Sequence, residues 1–158
     1  MGTIESLLIT IGNNVSTIRK YRALSKAELA KNIQYDRQDL LQLETGQQDF
    51  YISTLVKIAE SMDISLISIF SRDFDAAKAD PFVIDDFMGI YCENIRNQIK
   101  KRHLTEYGLA LKAEIDQTTL SRILKGKIKN PRISTMYYIA NNLDTSVEEL
   151  LTRTSKGG

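Results

Sequence analysis

Shifted by 80 positions, the chain falls onto itself: Leu24-Ser25-Lys26-Ala27-Glu28-Leu29-Ala30 lies over Leu104-Thr105-Glu106-Tyr107-Gly108-Leu109-Ala110. The match runs on without a gap, setting Asp36 over Asp116, Leu40 over Leu120, Leu43 over Ile123 and Gly46 over Gly126. Beyond that glycine the second copy carries one extra residue, so Leu55 corresponds to Met136 and Ile58-Ala59 to Ile139-Ala140. One inserted residue in a loop leaves the flanking elements intact. A repeat this long predicts two small domains in tandem, each with its own core, rather than one core for 158 residues.

Apolar spacing predicts that each copy is a run of five short helices. In the first, Ile11, Val15 and Ile18 share a helical face, followed by apolar groups over Leu29 to Ile33, Leu40 to Leu43, Leu55 to Met62 and Ile64 to Phe70. Ser25 with Glu28 reads as a capping box, and Asp36 and Asp116 read as N-caps of the third helix of each copy. Thr105 caps its helix too, but Gly108 supplies no reciprocal carboxylate. The run Ile4, Leu7, Leu8, Ile11, Val15 also has helical spacing, and either covers its own domain or joins two chains. The expected division is a first domain over 1–72, an acidic linker over 73–86 with its boundary near Asp80-Pro81, a second domain over 87–153 and a flexible tail over 154–158.

Composition narrows the function classes. With 42% hydrophobic and 26% charged residues the chain is expected to fold rather than stay disordered. One cysteine, Cys92, and one histidine, His103, build neither an internal disulfide nor a structural zinc site, and no cofactor or metal is expected. No Cys-His pair, Ser-His-Asp set or glycine-rich phosphate loop occurs at workable spacing, so an enzyme is not expected, and His103 reads as a surface residue of a basic segment. No run approaches the roughly 18 apolar residues of a membrane span, and Met1-Gly2-Thr3-Ile4-Glu5 does not begin like a leader. A cytoplasmic location away from membranes is therefore expected.

The segments Ser25 to Gly46 and Thr105 to Gly126 each show a capping hydroxyl, a polar triplet, Leu-Ala, a short turn, an apolar-closed helix and glycine. In this order they resemble the Xre-type helix-turn-helix family of phage repressors and Cro. The resemblance implies an all-α chain of two tandem lambda-repressor-like five-helix domains. Ala30 and Ala110 suit it, because a small side chain lets the two motif helices cross closely. Two departures stand out. The turn position that the family gives to glycine holds Gln34 and Glu114, which implies either strain or a different backbone route. The family's pairing of an arginine on the first helix with a glutamate ending the recognition helix is matched by Arg19 and Glu44, but the second copy has Ile99 and Leu124. Losing both partners together avoids stranding a buried charge.

The resemblance further implies that the third helix of each copy enters the major groove by its first two turns. Base-reading residues would be Arg37, Gln38 and Gln42 in the first copy and Gln117, Thr118, Ser121 and Arg122 in the second. Gln suits adenine and Arg suits guanine. Phosphate contacts would come from Ser25, Lys26 and Thr105 and from the loop after the third helix, where Lys125, Lys127, Lys129 and Arg132 have no cationic counterpart in Gly46-Gln47-Gln48-Asp49-Phe50-Tyr51. Residues 11–74 carry 8 cations against 8 anions, and residues 89–153 carry 11 against 7, so the positive charge belongs to the second copy. In the first copy Leu41 sits at a motif position that is normally polar and Phe50-Tyr51 replace the family's usual Pro-polar pair, and the three are candidates for a protein contact. The expected function is a sequence-specific regulator of transcription, most simply a repressor, acting on double-stranded DNA, with homodimerisation open. The alternative is an adaptor or antitoxin-like module whose N-terminal domain holds a protein partner.

Overall fold

The computed structural model describes residues 2–154. Residues 155–158, most of the tail expected to be flexible, lie outside them. The described residues form α-helices with no strand, and they divide into two compact units, the first ending at Ile84 and the second beginning at Asp85. None of these helices is long and apolar enough to cross a membrane.

The first unit contains α1 (Ile4–Tyr21), α2 (Lys26–Asn32), α3 (Arg37–Glu44), α4 (Ile52–Ser61) and a 3-10 turn, Ile67–Phe70, where the apolar pattern predicted a fifth helix. Helix α1 starts earlier than the repeat, because Thr3 and Ser6 close a capping box with bonds of 3.0 Å each way. Its apolar run covers its own unit: Leu8, Ile11, Val15 and Ile18 are buried with Leu29, Leu40, Leu43, Leu55, Ile58 and Ile69. Phe50 joins this core at 2% exposure, which corrects its assignment to a protein-contact surface. Of the two adjacent aromatics, Phe50 turns inward and Tyr51 starts α4 at the surface.

The second unit contains α5 (Phe87–Lys101), α6 (Glu106–Ala113), α7 (Gln117–Leu124), α8 (Ile133–Asn141) and α9 (Val147–Leu150). Tyr91, Ile95, Leu109, Leu120, Ile123, Met136, Ile139 and Leu150 fill its interior. The second half of the stretch expected as an acidic linker is held by hydrogen bonds. Ser65 N donates to Asp80 O at 2.8 Å and Phe82 N to Asp63 Oδ1 at 3.1 Å in the first unit. In the second, Asp85 takes two bonds from Arg153, of 2.8 and 2.6 Å, and Asp86 caps α5 through Gly89 N.

The two units place their unusual backbone at matched positions. Non-glycine residues in the left-handed region are Ala23 and His103 (φ 59° and 56°), Gln34 and Glu114 (55° and 56°), and Asp63 and Asp144 (51° and 53°). Gly46 and Gly126 complete the set at 72° and 76°. Helix ends commonly leave the helix through one left-handed residue. Buried asparagines also match: Asn14 Nδ2 donates to Ile69 O and Ser71 O at 2.8 and 2.7 Å, and Asn94 Nδ2 to Leu150 O and Thr152 O at 2.8 and 3.0 Å. Each amide satisfies two carbonyls at the end of its unit's last element, carbonyls that would be costly to bury unpaired.

Candidate nucleic-acid interface

The site is built on the pair α6 and α7. Leu109 and Ala110 are buried where the two helices pack, and the chain turns between them through Glu114 in the left-handed conformation. Of the two alternatives at this position, the chain takes the strained one, a left-handed residue with a Cβ. Helix α7 then exposes Gln117, Thr118 and Arg122 to solvent and Ser121 partly, while Leu120, Ile123 and Leu124 face inward. All four candidate base readers therefore share the outer face of one helix. Asp116 occupies the N-cap position but its carboxylate accepts no capping bond, which corrects its expected role. Asp36, with nearly the same backbone angles, accepts from Gln38 N and Asp39 N at 2.8 and 3.0 Å.

The turn after α7 carries the charge outward. Lys125 is the C-cap, Gly126 reverses the chain, and Lys127 N and Ile128 N both bond to Arg122 O, at 2.8 and 3.1 Å. Lys125, Lys127 and Lys129 are exposed, and Arg132, also exposed, is the N-cap residue of α8. Several cations held on one short turn beside the readers of α7 are the arrangement that neutralises neighbouring phosphates.

The N-termini of α6 and α2 differ in one consequential way. Thr105 Oγ1 accepts from Gly108 N at 2.9 Å, and no carboxylate closes the box from the other side. Ser25 accepts from Glu28 N at 3.0 Å while its own N–H donates to Glu28 Oε1 at 2.8 Å. The Ser25 backbone N–H, with the Ser25 hydroxyl adding to it, holds the Glu28 carboxyl below its ordinary range. A carboxylate therefore lies at the α2 N-terminus beside the exposed Ser25, and Lys26 is half-buried.

The corresponding surface of the first unit is weakly cationic. Arg37 and Gln38 are exposed and Gln42 is half-buried on α3, but Thr45, Gln47 and Tyr51 stand where the second unit has Lys125, Lys127 and Arg132. Leu41, at 37% exposure, stands where the second unit has Ser121. Tyr51 is 43% exposed, though it already has an interaction partner.

The base of each third helix is anchored differently. In the first unit Arg19 Nε and Nη2 grip Glu44 at 2.7 and 3.0 Å, both side chains buried, and Arg19 Nη1 reaches Leu24 O at 2.8 Å. Gly12 lets α1 press on α3, since a Cβ there would lie 2.5 Å from Leu43 O. In the second unit Leu124 is buried and Ile99 half-buried in place of the ion pair. Cys92, at the position of Gly12, donates through Sγ to Ile123 O at 3.3 Å, and Arg96, at the position of Ser16, donates through Nη2 to Leu124 O. Sequence reasoning does not find Cys92 and Arg96 as part of this site. The signal available is the 80-residue offset, which sets a thiol over a glycine and a guanidinium over a hydroxyl on an otherwise matched helix.

Residues 94–156 match the family model of the Cro/C1-type HTH DNA-binding domain, which places such a domain in the second unit. Among solved structures, an HTH_3 family transcriptional regulator from Vibrio cholerae matches at 31% identity and a TM-score of 0.42, over 45% of this chain and 40% of that one. The chain thus spans well under half the length of that regulator. No curated protein matches the chain.

Proposed function

We propose, starting from the Cro/C1-type helix-turn-helix domain at residues 94–156, that the chain is a non-enzymatic regulator of transcription that acts in the cytoplasm and binds a specific double-stranded DNA sequence. The observation that carries the reading is the combination on the second unit of exposed Gln117, Thr118 and Arg122 on α7 with exposed Lys125, Lys127 and Lys129 on the turn that follows. Gln117 and Arg122 discriminate adenine and guanine edges in the major groove, each paired contact giving about 1 to 3 kcal/mol of selectivity. The lysines supply the sequence-independent affinity, and Thr105 opens the α6 N-terminus to a phosphate.

In this reading the first unit is a second, divergent Xre-like helix-turn-helix domain, with Arg37, Gln38 and Gln42 as its readers and Ser25 and Lys26 as its phosphate contacts. It adds a weaker element to the site, and repression follows from occupying the operator, as one chain or as a homodimer. The matched left-handed residues and the matched asparagines support the tandem reading. A second reading assigns the first unit to a protein partner, and the exposed Leu41 in place of a polar groove residue favours it.

Selection from a pool of random duplexes with the intact chain at two salt concentrations tests the proposal. Two spaced sequence elements, of which Arg122→Ala relaxes one and Gln38→Ala the other, are expected for two readers. One element, relaxed by Arg122→Ala alone, is expected if the first unit serves a protein. Enrichment of no sequence, with negligible binding at low salt, would end the DNA-binding reading.

A further inference from the structure

An α-helix leaves its last four carbonyls without partners inside the helix. On α7 the main chain of the following turn meets three of them: Ser121 O takes Lys125 N at 2.9 Å, Arg122 O takes Lys127 N and Ile128 N, and Ile123 O takes Gly126 N at 3.0 Å. Leu124 O is met by a side chain from another helix, the guanidinium of Arg96, and Ile123 O gains a second donor in the thiol of Cys92. Cys92 and Arg96 lie four residues apart on α5, hence on one face a single turn apart. A cation set against the C-terminal carbonyls also opposes the negative end of the helix dipole.

In the first unit the terminal carbonyls of α3 at Leu41 and Gln42 take a side-chain donor from the adjoining Thr45. Ser16 and Gly12 occupy the matched positions, the Arg19–Glu44 pair joins the helices instead, and α1 meets α3 by direct backbone approach. In the second unit both halves of that pair are apolar, so contact through Ile99 and Leu124 carries no directional bond to fix how α7 is rotated and tilted. The two donors of α5 provide that direction. They act at the point where the reader Arg122 and the cationic turn of Lys125 and Lys127 leave the helix.

We infer that Arg96, with Cys92 beside it, is a positioning residue of the DNA interface: it sets the pose of α7 from behind and thereby governs sequence discrimination without touching DNA. The inference rests on the proposal that the second unit reads DNA through α7. A residue of this kind alters the ratio of specific to non-specific affinity. A phosphate contact weakens all sequences alike and lowers the salt slope by about one.

The experiment compares the full-length chain with Arg96→Met and Arg96→Lys, each binding the duplex that the wild-type chain selects from a random pool and a scrambled duplex of the same length. Both are measured across a salt series, and circular dichroism verifies folding. Arg96→Met is expected to bind the selected duplex about tenfold more weakly, the scale of one charge-assisted hydrogen bond. Its affinity for the scrambled duplex and its salt slope stay at the wild-type values, and Arg96→Lys, which retains a donor, recovers part of the discrimination. Equal weakening on both duplexes with a slope shallower by about one makes Arg96 a phosphate contact and overturns the inference. Unchanged binding to both, with only the melting temperature lowered, overturns it as well. Should Arg96→Met fail to fold, Arg96→Lys and Cys92→Ala carry the same comparison, and either one keeping full discrimination overturns it. A wild-type chain that selects no sequence removes the underlying DNA-reading proposal, an outcome distinct from all of these.

Discussion

Gln34 and Glu114 are held at φ of 55° and 56°, where a Cβ crowds the neighbouring carbonyl and glycine does not. Each stands exposed at the turn between the two motif helices, so its side chain gives up little packing if removed. Relief of the left-handed conformation exceeds the extra chain entropy that glycine brings to the unfolded state. Gln34→Gly and Glu114→Gly are each expected to raise stability by about 0.5 to 1 kcal/mol, read as a higher denaturant midpoint at unchanged slope. A loss of stability in either would mean that the native side chain makes a favourable contact outweighing the backbone strain. At the same scale, the sequence places an aromatic pair at Phe50-Tyr51 but does not decide which ring is core. That choice follows from where the preceding turn leaves the chain relative to α4.

Between elements, the bond from α1 to α3 is a buried ion pair and its counterpart is apolar, which allows an exchange. Removing Glu44 alone leaves the Arg19 guanidinium buried without its partner, so Glu44→Leu is expected to destabilise the chain by about 3 to 5 kcal/mol. Adding Arg19→Ile removes the stranded charge and installs the residues of the second unit. The double variant should recover most of that loss, remaining about 1 kcal/mol below wild type because Arg19 also serves Leu24 O. A double-mutant cycle in denaturant measures both quantities, and simple addition of the two single losses would contradict a coupled pair. This pairing is legible through the family resemblance, which the joint change of Arg19 and Glu44 to Ile99 and Leu124 in the second copy supports. The Cys92 and Arg96 contacts are not, because a donor meeting a main-chain carbonyl leaves no second side chain in the sequence to change with it.

Across the whole molecule the net charge of +1 conceals an uneven distribution, with the excess cations in the second unit. Binding that releases counterions has a salt slope of about 0.9 per neutralised phosphate. Replacing Lys125, Lys127 and Lys129 by Gln is therefore expected to flatten the slope of the full chain by about 0.9 for each lysine that meets a phosphate. Affinity for all duplexes should fall with little change in the preferred sequence. Thr45→Lys with Gln47→Lys, which gives the first unit the charges of Lys125 and Lys127, should steepen the slope if that unit lies on DNA and leave it unchanged if it serves a protein. Titrations of one duplex at several salt concentrations measure both.

The sequence alone determined the repeat, its offset and single insertion, the helical character of each copy, the capping box of Ser25 with Glu28 and the location of the positive charge. All of these are carried by residue type and spacing along the chain, which local physics converts directly into periodicity, capping and charge. Only the tertiary structure decided that Phe50 is core, that Asp116 does not cap while Asp36 does, and that Arg96 and Cys92 hold the end of α7. Those outcomes depend on which rotamer a packed neighbour permits and which carbonyl lies within reach, quantities that exist once helices distant in the chain have been brought together.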